Sequence, residues 1–173
     1  NMMKKNPSAK LLYLDSLMLM FDKRIKYFGK KEYVLGLKGY ELVITDSKRS
    51  FEALEMLEKS INTLKNKSGP QQIYAYLKAI VNLERSGVKS KDDVLDAYSY
   101  IMPILEYNIE NQSKKTKYFI KYQQKIEDMF SNYANCDDLI ALFDARFSDL
   151  KEDISFLRRS AKKLHLSLSN SST

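Results

Sequence analysis

His165 and Cys136 are the sole histidine and the sole cysteine of this 173-residue sequence. One imidazole and one thiol cannot build a Cys–His or His–His metal site, and a single cysteine cannot close an internal disulfide, which leaves the redox compartment open. A catalytic histidine needs a positioned partner. His165 instead precedes a polar tail, Ser169 to Thr173, that reads as frayed or linker-like, so it is read as a structural or surface residue. Cys136 stands before Asp137 and Asp138 at an expected helix start. The helix terminus would lower its pKa, but two neighbouring carboxylates oppose that, so the thiol is read as a capping or packing group. The pairs Asp92/Asp93 and Asp137/Asp138 have the residue types for acid–base work. Both fall in expected first helical turns, where the helix dipole already accounts for acidic side chains. No glycine-rich phosphate loop and no nucleophile motif is present. The expectation is a protein that is not an enzyme, with no cofactor and no metal.

The cations offer another chemistry. Net charge is +7, and the first 48 residues hold ten Lys/Arg against five Asp/Glu. Lys23-Arg24-Lys26, Lys30-Lys31 and the group Lys114, Lys115, Lys117 and Lys121 could contact nucleic acid or another polyanion. Lys114 and Lys115 fall at an expected helix start, where the dipole disfavours cations. No aromatic-interleaved RNA motif accompanies them, so a solvated face is the preferred reading and polyanion binding the alternative.

These residues must be held by helices. Five glycines and three prolines leave few hairpin turns, and helix formers dominate. Leu11, Leu14, Met18, Phe21, Ile25 and Phe28 recur at steps of three and four on a first helix opened by Pro7-Ser8 and ended by Gly29. Residues 11–21 are apolar on nearly every side yet too short to span a bilayer, which takes roughly 20 apolar residues. Neighbours are expected on both flanks of this helix. A second helix runs from about 32 to 44, with Gly36 and Gly39 marking close helix approach. A third, from 50 to about 65, buries Phe51, Leu54, Leu57, Ile61 and Leu64, with Ala53 and Ser60 as small contact positions. Pro70 opens a fourth helix, bearing Ile73, Tyr76, Leu77, Ile80 and Leu83. Ser90 caps a fifth, with Val94, Ala97, Ile101, Ile104 and Leu105, through which Pro103 passes with a kink. Ser113 starts a sixth, bearing Tyr118, Phe119, Tyr122, Ile126, Met129 and Phe130. Two more are expected over 137–147 and from 151 to about 168. Eight helices with connections of two to seven residues make consecutive helices antiparallel neighbours.

Ala53 and Ala97 occupy matching places in two of these helices, 44 residues apart. Each is followed by larger groove-filling residues, Leu57 and Ile101. The segment Glu-Ala-Leu-Glu-Met-Leu-Glu-Lys-Ser-Ile at 52–61 resembles the second helix of a tetratricopeptide (TPR) repeat, with Leu35-Gly36 as the first-helix Leu-Gly. In the next pair Leu77 takes the Leu position, but Lys78 stands where Gly or Ala is usual, so the repeats are degenerate. Over residues 11–143 the chain resembles one bacterial TPR family of long, often exported chains. Tyr13-Leu14-Asp15-Ser16-Leu17-Met18, Arg24 to Gly29, Tyr33-Val34-Leu35-Gly36, Leu77 to Asn82, Asp93 to Tyr98 and Tyr133 to Leu139 carry that likeness. It implies a right-handed α-solenoid that is a piece of a larger array, allows a cell-envelope or periplasmic location, and implies no particular ligand. The first residue, Asn1 rather than Met, fits an excised or processed segment.

The expected organisation is one TPR-like all-α domain over 1–168 and a tail over 169–173. Its expected role is to bind a protein or peptide non-covalently, or to extend a longer array. Repeat scaffolds bind on the concave surface lined by the first helix of each pair. With 32–45 paired to 49–65 and 70–86 to 91–111, that surface would include Lys38, Tyr40, Gln72 and Asn82. Polyanion binding would instead use Lys114, Lys115, Lys117 and Lys121.

Overall fold

Gly29 and Gly87 both adopt positive φ, at 69° and 75°, and each ends a helix where the sequence leads one to expect it. Beyond Gly87 the backbone N–H of Val88 donates to Leu83 O and that of Gly87 to Glu84 O, the paired bonds of a Schellman stop. The computed structural model describes residues 7–111 and 114–133. Within them the chain is all-helical: α1 (Pro7–Phe28), α2 (Lys31–Thr45), α3 (Ser50–Leu64), α4 (Pro70–Arg85), α5 (Lys91–Asn111) and α6 (Thr116–Phe130). Short 3-10 turns at Ser47–Arg49 and Lys65–Lys67 lead out of α2 and α3. The two helices expected beyond residue 136, with Cys136, Asp137, Asp138, His165 and the 169–173 tail, lie outside the described residues.

Local chemistry sets the boundaries. At the start of α5, Ser90 Oγ accepts from Asp93 N at 3.2 Å while Asp93 Oδ2 accepts from Ser90 N at 2.8 Å, a reciprocal cap for two orphan amides. At α4, Gln72 Oε1 accepts from Gly69 N at 2.9 Å, and Pro70 opens the helix, where a missing N–H costs nothing. α5 runs through Pro103 as one helix. α6 begins at Thr116 rather than Ser113, so Lys114 and Lys115 precede its first turn instead of standing in it.

The packing follows the small residues. A Cβ on Gly36 would stand 2.5 Å from Ser60 Oγ of α3 and from Gln72 Nε2 of α4. One on Gly39 would meet Leu57 of α3 at 2.5 Å and the Ala53 carbonyl at 3.0 Å. The two glycines thus let α2 and α3 approach backbone to side chain, opposite the buried Ala53 and Ser60. α2, α4 and α6 follow one another in contact, while α3 lies against both α2 and α4, and α5 against both α4 and α6. The continuous core between them includes Leu42, Leu57, Ile61, Ile73, Leu77, Ile101, Leu105 and Phe119. Each such buried aliphatic or aromatic side chain contributes about 1.5–3 kcal/mol.

Three expectations need correction. Phe51 is exposed, at 59%. The buried stripe of α3 is instead Ser50, Ala53, Leu54, Leu57, Ser60 and Ile61, so the inward place in the first turn goes to the small Ser50, whose Oγ donates to Ser47 O at 2.7 Å. Tyr118 is likewise exposed, and α6 turns Phe119, Tyr122, Ile126 and Phe130 inward. Finally, among the described residues α1 is not covered on both flanks. Among the described residues it packs mainly on α2 and buries Leu14 and Met18 while exposing Leu12, Leu19, Met20 and Phe28. A single neighbour can cover only one side of a helix that is apolar nearly all round.

Candidate functional site

Each of α2, α4 and α6 contributes one tyrosine to a common cluster: Tyr40, Tyr74 and Tyr122. The Tyr74 and Tyr122 rings meet with centroids 5.6 Å apart at 57°. Lys125, one turn beyond Tyr122 on α6, places its ammonium 5.0 Å from the Tyr122 ring centre and 5.6 Å from that of Tyr74. Both distances fall within cation–π range. Burial, then the adjacent Tyr122 hydroxyl, hold the Tyr40 phenol well above its ordinary pKa. Burial, then Tyr122, raises the Tyr74 phenol, and burial raises the Glu41 carboxyl. The Tyr40 and Tyr74 phenols therefore stay neutral hydrogen-bonding groups across the physiological range. Tyr40 and Tyr74 remain half-buried, an environment that suits an amphipathic ring with a polar tip.

Beside Tyr122 the same three helices enclose a cavity of about 540 Å³. Tyr33 of α2, the segment from Lys67 to Gln71 that leads into α4, and Lys115, Tyr118 and Lys121 border it. The volume lies within the range typical of ligand pockets. Phe119 supplies a buried apolar wall.

The residues expected to bind a partner divide between the site and the interior. Tyr40 is in the cluster. Lys38 is 8% exposed, and its Nζ donates to Asp22 Oδ1 at 2.6 Å, tying α2 to α1. Gln72 is 1% exposed and donates from Nε2 to Tyr33 O at 3.1 Å. Asn82 donates to Ser50 Oγ at 2.9 Å, fastening α4 to the head of α3. These three amide and ammonium groups are thus engaged between helices. Of the lysine group, Lys115 and Lys121 border the cavity, whereas Lys114 and Lys117 are exposed elsewhere.

Comparison with family models, with curated proteins and with solved structures gives no match, so the geometry alone bears on function. Among the described residues no three His, Cys, Asp or Glu side chains gather as a metal-binding group, and no helix is long and apolar enough to cross a membrane. Asp93 is a cap. The Lys89 ammonium and then the Ser90 backbone N–H and hydroxyl hold its carboxyl down at about 2.

Tyr74, Lys125, Tyr33, Lys67 and Ser68 were not among the site residues expected from the sequence. Their signal was present for Tyr74 and Lys125. Tyr74 sits one residue after the buried Ile73, and Lys125 follows Tyr122 by three, positions that turn toward the flank of a stripe rather than its centre. The approach of residue 68 to residue 121 has no local signature.

Proposed function

We propose that the chain is a non-enzymatic helical-repeat scaffold, a right-handed TPR-like solenoid that binds a protein or peptide across α2, α4 and α6. The observation that carries this reading is the meeting of Tyr40, Tyr74 and Tyr122, one from each of three successive first helices, beneath Lys125. Packed tyrosines with a cation over their rings are among the anchors that protein interfaces favour. The order of helix contacts, the Gly36–Ser60 approach and the TPR resemblance support the repeat architecture. The uncovered apolar face of α1 supports a place in a longer array, since stacked pairs bury such faces against one another.

Affinity capture on the full chain, read by mass spectrometry for the wild type and for Tyr74→Ala, tests this. The expected result is a protein set recovered by the wild type and lost with Tyr74→Ala. Recovery of nucleic acid alone would sink the scaffold reading. It would favour a second one, a basic module for polyanions, which rests on the convergence of Lys67, Lys115 and Lys121 at one cavity.

A further inference from the structure

The cavity between the heads of α2, α4 and α6 collects positive charge. Among the described residues, Lys67, Lys115 and Lys121 border it and no aspartate or glutamate does. The N-cap Gly69 and the first residues of α4, Pro70 and Gln71, form another part of its wall, bringing the positive end of a 16-residue helix to the same place. A separate observation points to a ligand. Ser68 borders the cavity and is 1% exposed, yet its hydroxyl has no hydrogen-bond partner among the described residues. A buried hydroxyl left unpaired costs about 1–3 kcal/mol; Ser68 Oγ is sealed from solvent, and turning its side chain toward an acceptor seated in the cavity would relieve that cost.

We propose that this cavity receives the carboxylate side chain of an acidic peptide segment lying along α2, α4 and α6. The assignment rests on the scaffold reading above and names the chemistry of the partner. Lys115 and Lys121 attract the carboxylate, Ser68 donates to it, and the rings of Tyr33 and Tyr118 flank the apolar part of the segment. The cluster of Tyr40, Tyr74 and Tyr122 lies next along the same face, with Tyr122 common to both. A nucleic-acid strand fits less well. It needs cations spaced along a track, whereas these lysines converge on one cavity and the face continues past Glu41, an acid beside Tyr40.

The test is fluorescence anisotropy on the full chain with three probes. They are a labelled decapeptide of four glutamates and two leucines in a serine background, its glutamine-for-glutamate counterpart, and a ten-nucleotide oligothymidylate. The glutamate peptide is expected to bind saturably, about tenfold weaker to Lys121→Glu and severalfold weaker to Ser68→Ala. Lys23→Glu, on α1, should change binding by less than about twofold, because exposed charges beyond a Debye length are screened. Equal loss with Lys23→Glu and Lys121→Glu would overturn the proposal, since it would reduce the effect to net charge. Tighter binding of the oligothymidylate, lost with Lys121→Glu, would overturn it in favour of nucleic acid. If the glutamine peptide binds as well as the glutamate peptide and both depend on Tyr74, the carboxylate pocket falls and the scaffold stands. If neither peptide binds, both fall.

Discussion

Gln72 of α4 donates to the Tyr33 carbonyl of α2 at 3.1 Å, and its amide occupies the space that a side chain at position 36 would enter. The sequence, by placing Gly36 in a helix, accepts a propensity loss of about 1 kcal/mol relative to alanine. The structure shows what that loss secures: Ser60 from α3 and Gln72 from α4 converge on one backbone position. Gly36→Ala sets these terms against each other. The helix gains about 1 kcal/mol, whereas a Cβ 2.5 Å from two buried groups forces repacking at about 1–3 kcal/mol. Net destabilisation is expected, read as a lower urea midpoint at unchanged slope. Ala53→Leu, opposite Gly39, should act the same way at about 1–3 kcal/mol. A neutral result at both positions would remove the close α2–α3 approach on which the repeat architecture depends.

The Lys38–Asp22 pair makes α1 separable from the rest. Lys38 is nearly buried while the Asp22 side chain is 56% exposed. Removing the acid strands a buried ammonium, whereas removing the base leaves a carboxylate that water can solvate. Asp22→Asn should therefore destabilise more than Lys38→Met, by on the order of 1–3 kcal/mol. The effect should concentrate in α1, so hydrogen exchange of the α1 amides is expected to rise before that of α3 or α4.

Asp93 gives a dependence on acid pH whose sign is fixed by its surroundings. Hydrogen bonds from Lys89 and Ser90 lower its pKa from 3.8 to about 2. A carboxylate depressed in the folded state adds stability above its unfolded pKa and loses it as pH falls through the folded one. The gap in thermal stability between wild type and Asp93→Asn should be full near neutrality and close between about pH 4 and pH 2. Ser90→Ala, which removes the other half of the cap, should cost about 1 kcal/mol. Part of the Asp93 effect should fade in high salt, because the Lys89 pair is only half-buried.

Periodicity reached the architecture more readily than the site, and the reason is physical. A core stripe repeats every three or four residues, so Leu77, Ile80 and Leu83, or Ile101, Ile104 and Leu105, declare their face locally. Gly36, Gly39, Ala53 and Ser60 announced close approach because their small size has no other use within a helix. A face between helices depends instead on which stripes meet. Lys38 and Gln72 are polar residues that look solvent-directed in one helix and prove to be the fasteners between two. Phe51 failed for a related reason. Periodicity allowed either residue 50 or 51 to begin the stripe, and the hydrogen bonds of Ser50 to Ser47 and Asn82 decided it. The union of Tyr33, Ser68 and Lys121 at one cavity depends on three helix ends and has no sequence signal at all.

Alkaline pH should report on the buried tyrosines in a way that separates packing from chemistry. Burial, followed by Glu58 and Tyr100, pushes the Tyr76 phenol from 10.0 up to about 12. Its ring meets that of Tyr100 edge-on at 6.0 Å, and Tyr100 donates to Asn62 Oδ1 at 2.6 Å, linking α5 to α3. The folded pKa lies above the unfolded one, so the neutral phenol supports folding below about pH 10, and that support is lost as pH rises toward 12. Absorbance of phenolate should therefore show a late-titrating class that disappears on denaturation. Tyr76→Phe keeps the ring in the Tyr100 contact and removes the ionisable group, so its stability near neutral pH should stay within about 1 kcal/mol of wild type. Above pH 10 the variant should resist unfolding better than the wild type, with one phenolate step missing from the late class. If Tyr76→Phe instead unfolds at the same alkaline pH as the wild type, Tyr76 is not the group whose ionisation opens the α3–α4–α5 core.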